Sequence, residues 1–226
     1  MEKTYRIAID GPSGAGKSTI SRQVAAELGI LYVDTGAIYR AVGLFMLRAG
    51  VDPSVAEAVA PKLSSVSVRL AYDGRGQRIF LGDEDVSDLI RTPDASRAAS
   101  QVSAHPVVRE FLLEMQRDIA RHSSCIMDGR DIGTVVLPDA ELKIFLTADA
   151  EDRARRRCLE LSERGTPQAF DDVLRDMIER DERDKNRPVA PLRQADDAVL
   201  LDTTGNELED SIAAVLKIVR EKFAEL

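Results

Sequence analysis

Two hydrophobic periods alternate along the chain. Short apolar or β-branched runs at residues 5–10, 31–34, 125–128, 142–147 and 198–202 each end near a polar residue or a glycine. That is the form of strands buried on both faces. Between them the spacing turns helical, over residues 19–28, 38–49, 106–121, 149–162, 171–187 and 208–223. Thr203-Thr204-Gly205-Asn206 supply turn and cap residues before the last helix. Strands alternating with helices predict an α/β fold with a parallel sheet and ligands at the carboxyl ends of its strands. One segment breaks the rhythm. Residues 66–70 and 78–81 alternate with period two around Asp73-Gly74-Arg75-Gly76, a hairpin pattern, and Val86-Ser87 can add a short third strand. Residues 64–90 therefore read as a small antiparallel insertion. No repeat or low-complexity linker interrupts the chain.

The first predicted strand runs into GPSGAGKS at 11–18, the spacing G-x-x-x-x-G-K-[ST] in a strand–loop–helix setting. Gly11, Pro12, Ser13, Gly14, Ala15, Gly16, Lys17, Ser18 and Thr19 form a candidate phosphate-binding loop. Its glycines let backbone N–H groups turn inward on phosphate oxygens. Lys17, expected in an exposed loop, brings a mobile charge for β- and γ-phosphates, and the Ser18 hydroxyl can ligate Mg²⁺. The following helix aims the positive end of its dipole at the same anion. The pattern implies binding of a nucleoside triphosphate, with ATP and Mg²⁺ as the expected pair. A P-loop alone fits a kinase, a switch or a motor.

Further residues narrow the choice. Asp34-Thr35-Gly36-Ala37-Ile38-Tyr39-Arg40 follows the second strand, with Thr35 able to cap a helix and Arg40 in its second turn. Asp128-Gly129-Arg130-Asp131 follows the third strand. There Asp128 stands where a Mg²⁺-side carboxylate belongs, and Arg130 can pair bidentately with phosphate. Arg153, Arg156 and Arg157 share one side of a predicted helix, and Arg180, Asp184 and Arg187 one face of the next. Segment 151–193 holds equal numbers of basic and acidic residues, so a solvated, salt-bridged helix is the plain alternative. Phosphoryl transfer between two phosphorylated substrates needs cations that close over a dry cleft, which this pair, broken at Arg164-Gly165-Thr166-Pro167, can supply as a lid. Clustered like charges predict an open lid without ligand.

Composition sets limits. The 226 residues are 44% hydrophobic and 31% charged with a net charge of −8, ordinary for a globule and poor for a nucleic-acid footprint. The apolar runs are too short to span a bilayer, and Met1-Glu2-Lys3-Thr4 leads straight into the first strand, predicting no secretory leader. Cys125 and Cys158 make no metal spacing and suit a reducing cytoplasm, Cys125 as a buried thiol. His105 and His122 read as surface or capping residues. A monomer that binds neither nucleic acid nor membrane is expected.

GPSGAGKS, DTGAIYR at 34–40, DVSDLIRT at 85–92, ASQVSAHPVVRE at 99–110, DGRDIGTVV at 128–136 and ERDERDKNRPVAPL at 179–192 together resemble bacterial-type cytidylate kinases, a family of nucleoside-monophosphate kinases. The last string and the insertion set the chain apart from adenylate and guanylate kinases. The resemblance implies a P-loop NTPase fold with a five-stranded parallel sheet core, helices on both faces, the antiparallel insertion and a helical lid. It implies a core of 1–34, 104–150 and 188–226, a monophosphate region at 35–103 and a lid with flanking helices at 151–187. It also implies ATP-dependent phosphorylation of CMP and dCMP. Ser100, Arg109 and Asp131 would meet the cytosine edge, Arg40, Arg130 and Arg187 the acceptor phosphate, and Arg180 and Asp184 the ribose. Arg153, Arg156 and Arg157 would approach the transferring phosphates. Lys17, Asp128, Arg130, Arg153 and Arg157 form the expected catalytic set. Thr35 stands where some relatives have Ser, keeping the hydroxyl. A kinase for uridylate or a non-nucleotide alcohol is the alternative among enzymes, and a P-loop switch the alternative outside them.

Overall fold

The computed structural model describes residues 4–73 and 76–224. In chain order the elements are β1 (Arg6–Asp10), α1 (Lys17–Leu28), β2 (Leu31–Asp34), α2 (Thr35–Arg48), the short α3 (Ala56–Val59), β3 (Val68–Asp73), β4 (Gly76–Leu81) and β5 (Glu84–Asp85). There follow α4 (Pro93–Val102), α5 (Pro106–His122), β6 (Cys125–Gly129), β7 (Leu142–Thr147), α6 (Ala150–Glu163), α7 (Phe170–Asn186), β8 (Val199–Asp202) and α8 (Leu208–Lys222). Contacts divide the chain into two compact units: the chain up to Leu31 with that from Ser123 onward, and Tyr32–His122. Of the expected hairpin turn, Gly74 and Arg75 lie outside the described residues. No described helix is long and apolar enough to cross a membrane.

The main sheet has the order β2-β6-β1-β7-β8, with helices on both faces, the P-loop NTPase arrangement. Pairings β1–β6, β1–β7 and β7–β8 are all parallel. In β1, β6 and β7 the continuous apolar runs follow from burial on both faces, whereas β8, last in the strand order, leaves Val199 and Leu200 exposed. Ile7, Ile9, Ile126, Met127, Ile144 and Leu146 are sealed from solvent. On this sheet α1 packs against β6 and α8. Cys125 is buried and free, and burial pushes its thiol up to about 12. A second small core joins α6 to α7 through Ala154, Leu161, Val173 and Met177.

In the second unit the antiparallel sheet β3-β4-β5 and helices α2, α4 and α5 share one cluster that includes Ile38, Val42, Met46, Ile79, Val86, Val108 and Leu112. Helix α5 belongs to it through Val108 and Leu112, although the expected boundary at 103/104 grouped that helix with the core. The third strand is Glu84–Asp85, not Val86-Ser87. Val86 turns into the cluster, and the Ser87 hydroxyl accepts from Ile79 N at 2.9 Å and donates to Asp85 Oδ1 at 2.6 Å. Asp34, not Thr35, caps α2: its Oδ1 accepts from Ala37 N at 2.8 Å, while Thr35 is the first helical residue. His105 is buried, its Nε2 donating to Pro53 O at 2.9 Å, so the surface role expected for it does not hold. His122 stays exposed and donates from Nδ1 to Asp118 O.

Helix α4 carries little hydrophobic signal because small residues face α2. Its start is nonetheless chemically marked, by Thr92 Oγ1 accepting from Ala95 N and by Pro93 in the first turn. Small residues permit close approach. A Cβ on Gly43 of α2 would stand 2.9 Å from both Ala98 Cβ and Ala99 N. Gly43→Ala should therefore cost about 1–3 kcal/mol of unfolding free energy, the usual effect of overpacking. In a double-mutant cycle read by urea denaturation, Ala98→Gly should recover only part of that, since the Ala99 backbone still blocks the methyl. Full recovery would place the clash at the Ala98 side chain alone.

Candidate active site

Register builds the site in the first unit. Pairing of β1 with β6 aligns Ile9 with Asp128 and Asp10 with Gly129, so the two strands release their loops side by side. One loop is GPSGAGKS and the other Arg130-Asp131. Gly11 has φ +151, and a Cβ there would come within 1.9 Å of Leu146 O, so no larger residue can leave β1 along this path. Gly16 precedes α1 in the left-handed region, with no side-chain cap and no acidic residue in the helix's first turn. The positive end of α1 is left for an outside anion.

Lys17 is buried, contrary to its expected exposure. It begins α1, and its Nζ donates to Pro12 O at 2.6 Å. Burial, with the Arg130 guanidinium close by, brings its ammonium down to about 7. Ser18 Oγ donates to Asp128 Oδ2 at 2.8 Å, setting two oxygen ligands together at the floor of the loop. Asp10, the last residue of β1, accepts from Ile132 N and Gly133 N at 2.8 Å each, and burial pushes its carboxyl up to about 6 against those bonds.

Carboxylates hold the arginines. Arg130 Nε donates to Asp184 Oδ2 at 2.9 Å, and Arg187 Nη2 to Asp131 Oδ1 at 3.2 Å. Arg187 also donates through Nε to Ala190 O, whose residue adopts φ +50, a conformation rare for alanine. Burial would raise the Asp184 carboxyl, yet Arg130 and Arg180 hold it below the ordinary carboxylate range. Arg153 reaches under the P-loop: it donates to Ser13 O at 2.9 Å and Ala148 O at 2.8 Å, and pairs with Asp181 at 2.7 Å. Arg156 pairs with Asp152, donates to Thr203 O at 2.6 Å, and has Nη1 3.9 Å from where a Gly16 Cβ would stand. Arg157 does not join them; its Nη1 pairs with Glu160 three residues on. The expected repulsion among these arginines is offset, because Arg153, Arg156, Arg157 and Arg187 each meet an acidic side chain and Arg180 acts on Asp184. Like-charge spreading thus gives no reason for an open arrangement.

The second unit holds the remaining candidates. Arg40 Nη2 pairs with Asp34 Oδ2 at 2.8 Å, while its Nε is buried with no hydrogen-bond partner. Burial opposes ionisation of Asp34, but the Arg40 charge and the Ala37 N–H outweigh it and lower its pKa. Thr35 is buried at the start of α2. On α4, the buried Ser100 Oγ also lacks a partner, and on α5 the buried Arg109 lies 5.5 Å from the Tyr39 ring centroid. Unpaired buried atoms such as Arg40 Nε and Ser100 Oγ are costly in native proteins until water or a ligand completes them.

Comparison with known proteins is decisive about descent. The family model described as cytidylate kinase matches residues 7–221. The chain belongs to the cytidylate kinase family. It is 46% identical over 217 residues to the cytidylate kinase of Carboxydothermus hydrogenoformans, covering 96% of this chain and 98% of the relative. It is 48% identical over 217 residues to that of Caldicellulosiruptor bescii, with 96% of both covered. Among solved structures, an uncharacterized protein from Eubacterium ventriosum shares the fold, with a TM-score of 0.54 at 13% identity over 97% of this chain and 99% of that one.

Membership makes the chain a kinase, and the structure adds residues that sequence reading passed over. Asp181 is a partner of Arg153, and its Oδ1 accepts from Ser13 N at 3.4 Å, so it anchors both α6 and the P-loop to α7. It lies inside ERDERDKNRPVAPL, one residue after Arg180, and only its burial separates it from the solvated acids around it. Asp10 was visible as the residue before Gly11 but carried no pattern of its own. Arg153 and Asp181 side chains are 7% and 8% exposed, so removing one charge strands the other. Asp181→Ala should cost about 3 kcal/mol in urea unfolding, the low end for a broken buried pair because Arg153 keeps two carbonyls. Replacing both, as Arg153→Met with Asp181→Leu, should restore much of it. A single-variant loss below ~1 kcal/mol would make the pair solvent-like.

Proposed function

We propose that this enzyme transfers the γ-phosphoryl of ATP to CMP or dCMP, giving ADP and the corresponding diphosphate. The observation that carries the reading is the pairing of family membership with one loop juxtaposition: Lys17 and the Ser18–Asp128 pair stand on the floor of the P-loop, next to Arg130 and Asp131 at the end of β6. An acceptor phosphate oxygen attacks the γ-phosphorus in line, the bond to the β–γ bridging oxygen breaks, and its electrons leave on ADP. No covalent enzyme intermediate is needed, so positioning and charge stabilisation do the work.

Each residue's role follows from its chemistry. The P-loop N–H groups of 11–19 cradle the triphosphate, and Lys17 exchanges the Pro12 carbonyl for β- and γ-oxygens. Ser18 Oγ and Asp128 suit Mg²⁺, which takes one or two protein oxygens and otherwise phosphate and water; no described cluster offers a larger set. When bound, Mg²⁺ neutralises charge on the bridging phosphates. Asp131 accepts from the cytosine amine while Ser100 and Arg109 serve its acceptor side, a complement that uracil lacks. Arg40, Arg130 and Arg187 take the acceptor phosphate, Arg180 and Asp184 the ribose, and Thr35 lends its hydroxyl to the monophosphate. Arg153 supports the loop carrying the triphosphate, and Arg157 joins only by trading Glu160 for phosphate. A cytoplasmic monomer is the setting this reading assumes.

A coupled assay of ADP release should show turnover that depends on an added monophosphate, with CMP and dCMP preferred over UMP, AMP and GMP. Equal rates across the panel would remove the cytosine assignment. Lys17→Ala should fold yet lose a factor of ~10²–10³ in kcat, the usual price of one preorganised charge contact. Near-normal turnover would remove Lys17 from the reaction.

Proton uptake tests the same site independently. With its ammonium near 7, Lys17 is mostly neutral at pH 8, and a bound triphosphate favours the charged form. Titration of ATP at pH 8, in buffers of differing ionisation enthalpy, should show uptake of most of one proton. The uptake should shrink below pH 6.5, where Lys17 is already charged, and vanish in Lys17→Met. Uptake that persists in that variant would assign the proton elsewhere.

A further inference from the structure

Asp131 opens a π-helical turn, Ile132–Val136, from the N-cap position, yet makes no capping hydrogen bond to it. An aspartate there ordinarily folds back to accept from the N–H groups two and three residues on. Of those two donors, Gly133 N is already taken from another strand, together with Ile132 N, the first N–H of the turn. Asp10 accepts Ile132 N on Oδ1 and Gly133 N on Oδ2, both at 2.8 Å, one oxygen to each. The fork fits because Gly133 lacks a side chain: a Cβ there would stand 3.0 Å from Lys143 Cδ and 3.5 Å from Asp10 Oδ2. With Gly133 N committed to Asp10, the Asp131 carboxylate accepts from Arg187 instead.

We propose that Asp10 is a positioning residue for base selection: by capping the Ile132–Gly133 backbone in place of Asp131, it keeps the Asp131 carboxylate turned away from its own turn and presented to the base. This rests on the reading that Asp131 meets the cytosine amine. Asp10 touches neither substrate in this account. Its two oxygens are both committed to backbone, and a neutral amide could serve only one of the two N–H groups, presenting its own NH₂ to the other. Asp131 would then be drawn back to cap its own turn, and discrimination between cytosine and uracil would fall.

The test is kcat/KM for CMP and for UMP, with the KM for ATP, in the full chain and in Asp10→Asn, Asp131→Ala and the double variant. The CMP/UMP ratio should fall about tenfold in Asp10→Asn, a change of 1.4 kcal/mol, while the KM for ATP moves far less. Because both residues act through one carboxylate, adding Asp10→Asn to Asp131→Ala should change the ratio by no more than about twofold. If Asp10→Asn lowers both substrates by one factor, or the two effects multiply, Asp10 serves the fold or the P-loop and the proposal falls while the role of Asp131 stands. If Asp131→Ala leaves the ratio unchanged, the underlying reading falls and takes the proposal with it. Should Asp10→Asn fail to fold, Asp10→Glu gives the same readout: it keeps charge and both acceptors but pushes the turn away by a methylene. A lowered ratio supports the proposal, and an unchanged one overturns it.

Discussion

The parallel pairing of β1 with β6 is the constraint on which the chemistry depends. Five consecutive residue pairs, from Arg6 with Cys125 to Asp10 with Gly129, bring two strands to an end at the same level. From that level one chain enters the P-loop and the other carries Arg130 and Asp131. A register shift of one residue would turn Asp128 to the opposite face and part it from Ser18. Both faces are buried here, so the register is marked by polar contacts at the strand ends: Asp10 to Ile132 N and Gly133 N, and Ser18 Oγ to Asp128. The sheet and these contacts together set the distance between the P-loop and Arg130-Asp131.

Charge is then managed by pairing rather than by distance. Sequence alone suggested that arginines on α6 and α7 repel one another until phosphates arrive. The fold instead gives Arg153 to Asp181, Arg156 to Asp152, Arg130 to Asp184 and Arg187 to Asp131. Leaving a buried guanidinium unpaired costs several kcal/mol, so carboxylates act as placeholders that fix each fork's position. Under the proposed function, a phosphate taken by Arg130 or Arg187 must share that arginine with Asp184 or Asp131. Affinity is reduced by that exchange, while geometry is gained, because the arginines need not be collected from solvent.

Legibility in the sequence tracked how local the determining physics is. Strands β1, β6 and β7 and the long helices were readable because burial on both faces or on one stripe writes itself into the hydrophobic period, while β8 was readable from its apolar run although Val199 and Leu200 are exposed. The P-loop was readable because backbone approach to phosphate demands glycine at fixed spacing. Helix α4 escaped because Ala95, Ala98 and Ala99 are selected for closeness to Gly43 rather than for apolar bulk. The third strand was displaced by two residues because Val86 and Ser87 answer to the cluster and to Ile79, not to strand periodicity. Lys17 was misjudged because glycine spacing marks the loop but not its surroundings: burial, and the charges of Arg130, Asp128 and Asp10, reach it from other parts of the chain. The roles assigned to Ser100, Arg109 and Asp131 came from family resemblance, since nothing in their spacing alone names a base.

Asp10 and Lys17 show how the floor of the P-loop can await an anion at low cost. Burial acts on both in the direction of neutrality, bringing the carboxyl up to about 6 and the ammonium down to about 7. The Asp10 charge is spread over two backbone N–H groups, and burial favours the neutral form of Lys17. A permanently charged lysine in this place would carry the full desolvation penalty in the absence of ligand. One that can lose its proton avoids much of it and regains the charge when a triphosphate supplies the field. Under the proposed function the binding energy of the anion is then shared with protonation, and affinity for the triphosphate weakens as pH rises and Lys17 loses its proton. The same burial that fixes the loop therefore makes its charge conditional on the ligand.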